Sequence, residues 1–322
     1  MKKNAEIKCP FVSIIIIAKE VSEYLAECIE NCLNLDYPEF EIIFLPDKKA
    51  CLNYKNVSVV PTGEVCPAVK RNMGVERAKG EIVAFIDDDV YPAKNWLNNA
   101  IRNFIDPEVV AVGGPAVTPD NDDIMQKASG LVYSSKLVSG EYVYRYIKGT
   151  RKEVEDFPSC NLIVRKSAFK KSGGFDTKFW PGEDTVLCLD IIKKLKKKIV
   201  YEPEALVYHH RRRLFREHLK QISSYAKHRG YFVKRFPETS KKFSYFVPSI
   251  FAVGVIIGGI VSVFSPFVRS IYITILTIYL ISAVFETVKA RSLLVFPGII
   301  LTHLTYGIFF IRGLLSRKLE EE

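Results

Sequence analysis

The sequence predicts an α/β fold with a mostly parallel sheet, followed by an all-α transmembrane region. Apolar, β-branched runs alternate with segments of helical period through the first two hundred residues, the pattern of a sheet with helices on its faces. The last quarter holds long uncharged stretches, Phe243–Val268 and Ser292–Ile311, with Ser270–Phe285 between them. Charge is uneven as well. The 322 residues carry 46 Lys+Arg and 36 Asp+Glu, a net +10, but residues 193–242 alone hold 16 Lys/Arg and 4 Asp/Glu, so the remainder sums to −2. This distribution excludes a chain coated in cations along its length for nucleic acid. It leaves one surface that meets anions.

Taken in order, Phe11–Ala18 is a near-continuous apolar run, read as a strand buried on both faces. Ser22 can cap a helix in which Leu25, Cys28, Ile29 and Cys32 recur at helical spacing. Glu41–Leu45 and Val57–Val60 follow as strands, Pro67–Ala78 as a helix and Glu81–Ile86 as a strand. A helix before Phe104 then precedes a strand at Val109–Val112, and a further short strand ends in Val207-Tyr208-His209-His210. The seven cysteines form no CxxC pair, and Cys28 and Cys32 fall on one buried helical face. The first residues lack a cleavage site, so reduced thiols and a cytosolic catalytic portion are expected.

A helix needs roughly 20 apolar residues to span a bilayer, and three are expected, at about 246–265, 268–287 and 293–313. Lys241 and Lys242 before the first and Lys289 and Arg291 after the second place both groups on the cytoplasmic side. Three spans would then export Arg317 and Lys318, against the same rule. Either one segment is re-entrant or the charge bias is weak.

In open α/β sheets ligands bind at the carboxyl ends of strands. Here Val83-Ala84-Phe85-Ile86 is followed by Asp87-Asp88-Asp89. Consecutive carboxylates repel unless something cationic joins them, and oxygen ligands beside phosphates suit Mg2+ or Mn2+; an acidic solvated turn is the alternative. Upstream stands Arg71-Asn72-Met73-Gly74-Val75-Glu76-Arg77-Ala78-Lys79-Gly80. Downstream stand Gly173-Gly174-Phe175-Asp176 and Gly182-Glu183-Asp184. This ordered set resembles the membrane-bound family 2 glycosyltransferases, inverting enzymes of the GT-A (Rossmann-like) fold, over about residues 10–235.

The resemblance implies a role for each matched position. Asp184 is the base that takes the acceptor hydroxyl proton, and Glu183 orients or binds the acceptor beside Trp180. Asp89 is the main metal ligand, with Asp87 and His209 completing the set; His210 is the other candidate. Asp87 and Asp88 also contact the nucleotide donor, as do Glu20, Asp47 and Arg71, although Arg71 could instead only pack at its helix start. Gln221 and Arg229, within Gln221-Ile222-Ser223-Ser224-Tyr225 and Arg229-Gly230, match the stretch that membrane-bound members place over the nucleotide. The strings Ala18-Lys19-Glu20 and Leu45-Pro46-Asp47-Lys48 depart from the family pattern, which leaves the nucleotide base open.

Cations from Arg211 to Arg235 interleave with Leu214, Phe215, Leu219, Ile222, Tyr225 and Phe232, a pattern open to RNA or to anionic headgroups. Nearness to the apolar runs favours headgroups. The expected domains are 1–210 (glycosyltransferase), 211–242 (basic interface helices) and 243–322 (transmembrane). The expected function is transfer of a sugar from a nucleotide-diphosphate donor to a hydroxyl of a glycan or lipid-linked acceptor, at the cytoplasmic face of the cell membrane. It would depend on Mn2+ or Mg2+, with membrane lipids as partners and no nucleic acid. The alternatives are a polyprenyl-phosphate sugar synthase and a non-catalytic membrane protein that binds nucleotide sugars.

Overall fold

The computed structural model describes residues 9–52 and 54–318. β1 (Val12–Ile17) leads through α1 (Glu23–Leu33) to β2 (Phe40–Leu45), β3 (Val57–Val59) and α2 (Pro67–Arg77). Then come β4 (Ile82–Asp87), β5 (Val90–Pro92), α3 (Trp96–Ile101), β6 (Val109–Gly113) and β7 (Ala116–Val117). The middle of the chain forms α4 (Ile124–Ser134), α5 (Lys136–Ser139), β8 (Lys152–Val154), β9 (Asn161–Arg165), α6 (Lys166–Ser172), α7 (Glu183–Lys193), β10 (Lys198–Tyr201) and β11 (Val207–His209). The rest is helical: α8 (Arg216–Arg235), α9 (Pro237–Ser240), α10 (Phe243–Phe264), α11 (Pro266–Ala290) and α12 (Val295–Leu315). Two compact units result. One takes the chain up to Val117 together with Ile147–His209; the other takes Thr118–Tyr146 and the chain from His210 onward.

In the first unit an eight-stranded sheet has the order β3-β2-β1-β4-β9-β6-β10-β8. β1 lies between β2 and β4, parallel to both, and all six of its residues are buried. This is the environment that its unbroken apolar run requires. Leu25, Cys28, Ile29 and Cys32 of α1 join Ile14, Ile16, Phe44, Trp96 and Leu97 in the core. Cys28 is fully buried, and a hydrogen bond with Cys32, then burial, keeps its thiol protonated.

Five strands, β5, β7, β8, β9 and β10, have no counterpart in the sequence reading, and β9 matters most for the site. β9 inserts antiparallel between β4 and β6, pairing Asn161 with Ile86. Its start therefore stands at the carboxyl end of β4, which carries Ser159 into the acidic cluster described below. A second, three-stranded sheet, β5-β11-β7, registers His209 opposite Val90.

In the second unit, Asp123 caps α4: its carboxylate accepts from the N–H groups of Met125 and Gln126, and Gln126 returns the bond to the Asp123 N–H. Ala128 and Val132 of α4 pack with Leu214, Ala283, Val295 and Ile299. The stretch 118–146 is thus part of the helical unit. α8 and α12 approach so closely that a Cβ on Gly313 would lie 1.9 Å from the Lys227 carbonyl oxygen. α10, α11 and α12 are each long and apolar enough to cross a membrane.

Candidate active site

Three consecutive residues of α2 organise the carboxyl end of the first unit's sheet. Lys70 is 3% exposed and Arg71 5%, burial that a cation tolerates only when paired. The Lys70 Nζ donates to the Ala18 carbonyl (2.5 Å) and to Asp47, so the ends of β1 and β2 share one ammonium. The Arg71 guanidinium points the other way, donating through Nη2 to Asp87 Oδ1 (2.7 Å) and through Nη1 to Glu183 Oε1 (2.8 Å). Burial works against the Arg71 charge; the Asp87 and Glu183 carboxylates more than offset it and raise its pKa. Asn72 donates to the Phe175 carbonyl (2.8 Å) and accepts from the Phe175 N–H (3.0 Å). This reciprocal pair fastens the Gly173-Gly174-Phe175 turn to the same helix.

α7 begins at Glu183 because Gly182 takes a φ of +133°, a value strained for any side chain with a Cβ. Glu183 is buried, and its Oε2 accepts from the Gly182 N–H (2.9 Å). Asp184 faces a different environment. Its Oδ1 accepts from the Thr185 N–H (2.7 Å) and its Oδ2 from the Ser159 N–H (3.2 Å). Asp156, buried nearby, accepts from the Thr185 hydroxyl (3.0 Å). Burial, followed by the charges of Glu183 and Asp156, pushes the Asp184 pKa up to about 7, against the two N–H bonds that favour its ionised form. A carboxyl near neutrality at this helix start is suited to proton transfer.

Asp89 and His209 form a separate pair. Asp89 directly precedes β5 and His209 ends β11, with His209 Nε2 3.4 Å from Asp89 Oδ1 and side-chain exposures of 15% and 16%. Two donors in neighbouring positions of an octahedral ion with bonds of about 2.1 Å lie about 3 Å apart, so this carboxylate and imidazole fit one divalent cation. Among the described residues no three His, Cys, Asp or Glu side chains converge for a metal. Such an ion would complete its shell with water and phosphate oxygens. His210 is engaged elsewhere, its Nδ1 bonded to Asp122 within the second unit (2.5 Å).

The structure thus joins Arg71, Asp87 and Glu183 directly, sets Asp184 beside them, and pairs Asp89 with His209. Asp88 lies half-buried in the turn after β4. Glu20 is exposed beyond the end of β1, and Trp180 is 36% exposed two residues before Gly182. Gln221 and Arg229 lie on α8 in the second unit. There Gln221 accepts from Tyr133 Oη (3.0 Å), and the Arg229 guanidinium sits 4.9 Å from the centre of the Tyr245 ring. Sequence reading missed Lys70, Asn72 and Asp156. The first two adjoin Arg71 in α2.

Residues 13–173, half of the chain, match the profile of the family described as Glycosyl transferase family 2. Over 161 residues the chain is 31% identical to the pre-mycofactocin glycosyltransferase of Mycobacterium tuberculosis (strain ATCC 25618 / H37Rv), a match covering 50% of this chain and 33% of that protein. The chain therefore spans about a third of that relative's length. It is 24% identical over 248 residues to the dolichyl N-acetyl-alpha-D-glucosaminyl phosphate 3-beta-D-2,3-diacetamido-2,3-dideoxy-beta-D-glucuronosyltransferase of Methanococcus voltae, covering 70% of this chain and 74% of that one. Among solved structures it is similar to the mannosyltransferase PcManGT from Pyrobaculum calidifontis in complex with GDP-Man and Mn2+. The TM-score is 0.66 at 16% identity, over 96% of this chain and 88% of the other. At that identity the likeness is one of fold.

Proposed function

The chain belongs to glycosyl transferase family 2, with a GT-A domain followed by long apolar helices, and on that premise we propose a membrane-anchored, inverting, metal-dependent transferase. It moves a sugar from a nucleotide-diphosphate donor to a hydroxyl of a glycan or lipid-linked acceptor at the cytoplasmic membrane face. The observation that carries this reading is the contrast at the start of α7, where Glu183 is tied to Arg71 while Asp184 keeps a pKa of about 7. An acceptor hydroxyl needs a base of that kind.

Asp184 takes the hydroxyl proton as the acceptor oxygen attacks the anomeric carbon from the face opposite the diphosphate. The bond from that carbon to the diphosphate breaks, and the nucleoside diphosphate leaves with the electron pair. Asp89 and His209 would hold Mn2+ or Mg2+, and a bound ion there would supply positive charge to offset that of the departing diphosphate. Asp47, fixed by Lys70, and Glu20 lie on the nucleoside side. Asp87 and Asp88 line the donor, with Arg71 setting the orientation of Asp87. Gln221 and Arg229 contribute to donor binding, and Trp180 and Glu183 to the acceptor.

Purified full-length protein, screened with nucleotide sugars and Mn2+ against lipid extracts and read by mass analysis, identifies donor and product. Asp184→Asn abolishes transfer while donor binding persists. Retained turnover would remove Asp184 as base and favour an acceptor already ionised, such as a lipid phosphate.

A further inference from the structure

We infer that α12 lies in the plane of the membrane interface beside α8 and does not cross the bilayer. The anchor is then the α10–α11 hairpin, and the chain leaves α12 on the side from which it enters α10. Length and composition alone make α12 a span; its partners within the second unit do not.

α12 is held along its length by elements that do not belong in hydrocarbon. Gly298 abuts Val132 of α4, and His303 Nε2 donates to the Leu137 carbonyl of α5 (3.1 Å). Thr302 Oγ1 bonds His218 Nε2 of α8 (2.9 Å), Gly313 meets the Lys227 backbone, and Lys234 Nζ donates to the Ser316 carbonyl (2.6 Å). The two helices therefore run side by side from His218 and Thr302 to Lys234 and Ser316, about 24 Å along α8 and 21 Å along α12 at 1.5 Å per residue. α8 carries Arg216, Glu217, Lys220, Lys227, Arg229, Lys234 and Arg235, of which Arg216, Glu217, Lys220, Lys234 and Arg235 are exposed. A spanning α12 would draw this row into the bilayer core, where such charges are strongly disfavoured. At the interface the same row meets anionic headgroups and the apolar side of α12 meets acyl chains.

The hairpin behaves differently. α12 touches α10 in its first turns, where Phe246 packs on Phe310 (5.0 Å between ring centres) and the Ser249 hydroxyl donates to the Gly307 carbonyl (3.0 Å). It touches α11 from its midpoint onward, where Tyr279 Oη bonds His303 Nδ1 (2.9 Å) and Ala283 packs with Val295 and Ile299. Beyond these points the hairpin exposes Ile256 (58%), Ile260 (59%), Phe264 (82%), Phe267 (75%) and Ile275 (61%). With 22 and 25 residues, α10 and α11 reach about 33 and 37 Å, enough for a hydrocarbon core of about 30 Å. At the far turn, Arg269 caps α10 by donating to the carbonyls of Ser262 (3.0 Å) and Val263 (3.3 Å). Lys241, Lys242, Lys289, Arg291, Arg317 and Lys318 then share one side, as cytoplasmic cations do. The conflict that three spans create for Arg317 and Lys318 disappears. This topology is independent of which sugar or acceptor the protein uses.

Two measurements on the full chain test it, with Cys9, Cys51 and Cys66 replaced by Ser. Nitroxides on Leu301→Cys, Ile308→Cys and Leu315→Cys, exposed residues seven apart, are placed in liposomes of zwitterionic and anionic phospholipid, and depth is read from collision with oxygen and a polar relaxant. An in-plane helix puts all three within about 5 Å in depth. A spanning helix separates the first and last by about 21 Å, which would overturn the inference. In inside-out and right-side-out vesicles, an impermeant maleimide should label Ser316→Cys on the same side as Lys241→Cys and opposite to Ser265→Cys. Labelling of Ser316→Cys together with Ser265→Cys would equally overturn it.

Discussion

The raised pKa of Asp184 predicts how the reaction responds to pH. With a pKa of about 7, the ionised fraction is about a half at pH 7, a tenth at pH 6 and a hundredth at pH 5. If Asp184 is the base, kcat/KM should fall about tenfold per unit below neutrality, since that ratio reports the free enzyme. After burial, Glu183 is the largest contributor to the shift, so Glu183→Gln should move the inflection to lower pH even if it also slows turnover. The same shift has a sign for stability. A carboxyl whose folded pKa lies above its unfolded value favours the fold below pH 4, and that contribution is lost as pH rises through 7. Asp184→Asn should therefore stabilise the protein by about 1–3 kcal/mol at pH 8 and change little at pH 4. The assays are initial rates at subsaturating donor between pH 5 and 8.5, and denaturant midpoints at both pH values. A profile flat to pH 5, or an inflection that Glu183→Gln leaves in place, would refute the assignment of Asp184.

Removing the guanidinium with Arg71→Met strands Asp87 and Glu183 together, and the fold should lose about 3–5 kcal/mol by denaturant titration; adding Glu183→Gln should recover part of it. His209→Ala should raise the Mn2+ concentration for half-maximal activity at least about tenfold, the size seen when only a ligand's supporting group is lost, while leaving the denaturation midpoint nearly unchanged. Gly313→Leu drives a side chain into the Lys227 backbone and should destabilise the second unit by about 1–3 kcal/mol or more, read as increased proteolysis of α8.

Strands β1 to β4, β6 and β11, the apolar helices and the acidic strand ends were legible because each is written locally: a β-branched run, an uncharged stretch, a carboxylate string. What was not legible is pairing across the chain. Lys70 and Arg71 are adjacent, yet Lys70 serves Asp47, 23 residues back, and Arg71 reaches Glu183, 112 residues on. No periodicity encodes those distances. β9 has the apolar run Leu162-Ile163-Val164, but such a run carries no direction, so its antiparallel insertion between β4 and β6 stayed hidden. The cations of 211–235 were legible as an amphipathic surface. Their alignment with α12 was not, because it depends on Gly230 and Gly313 admitting a close helix approach that composition does not announce.

Glu183 and Asp184 are neighbours in sequence with the same chemistry, and their surroundings divide the work between them. Glu183 shares the Arg71 guanidinium with Asp87 and accepts from the Gly182 N–H, so both of its oxygens are engaged and the side chain is held in place. Asp184 is held by two backbone N–H groups, which orient it without a full compensating charge, so burial and the nearby carboxylates still dominate its titration. Exchanging the two roles would require moving the guanidinium by one residue. A base near neutrality beside a carboxyl anchored by a guanidinium is the arrangement that lets one group take a proton at working pH while the other holds its position.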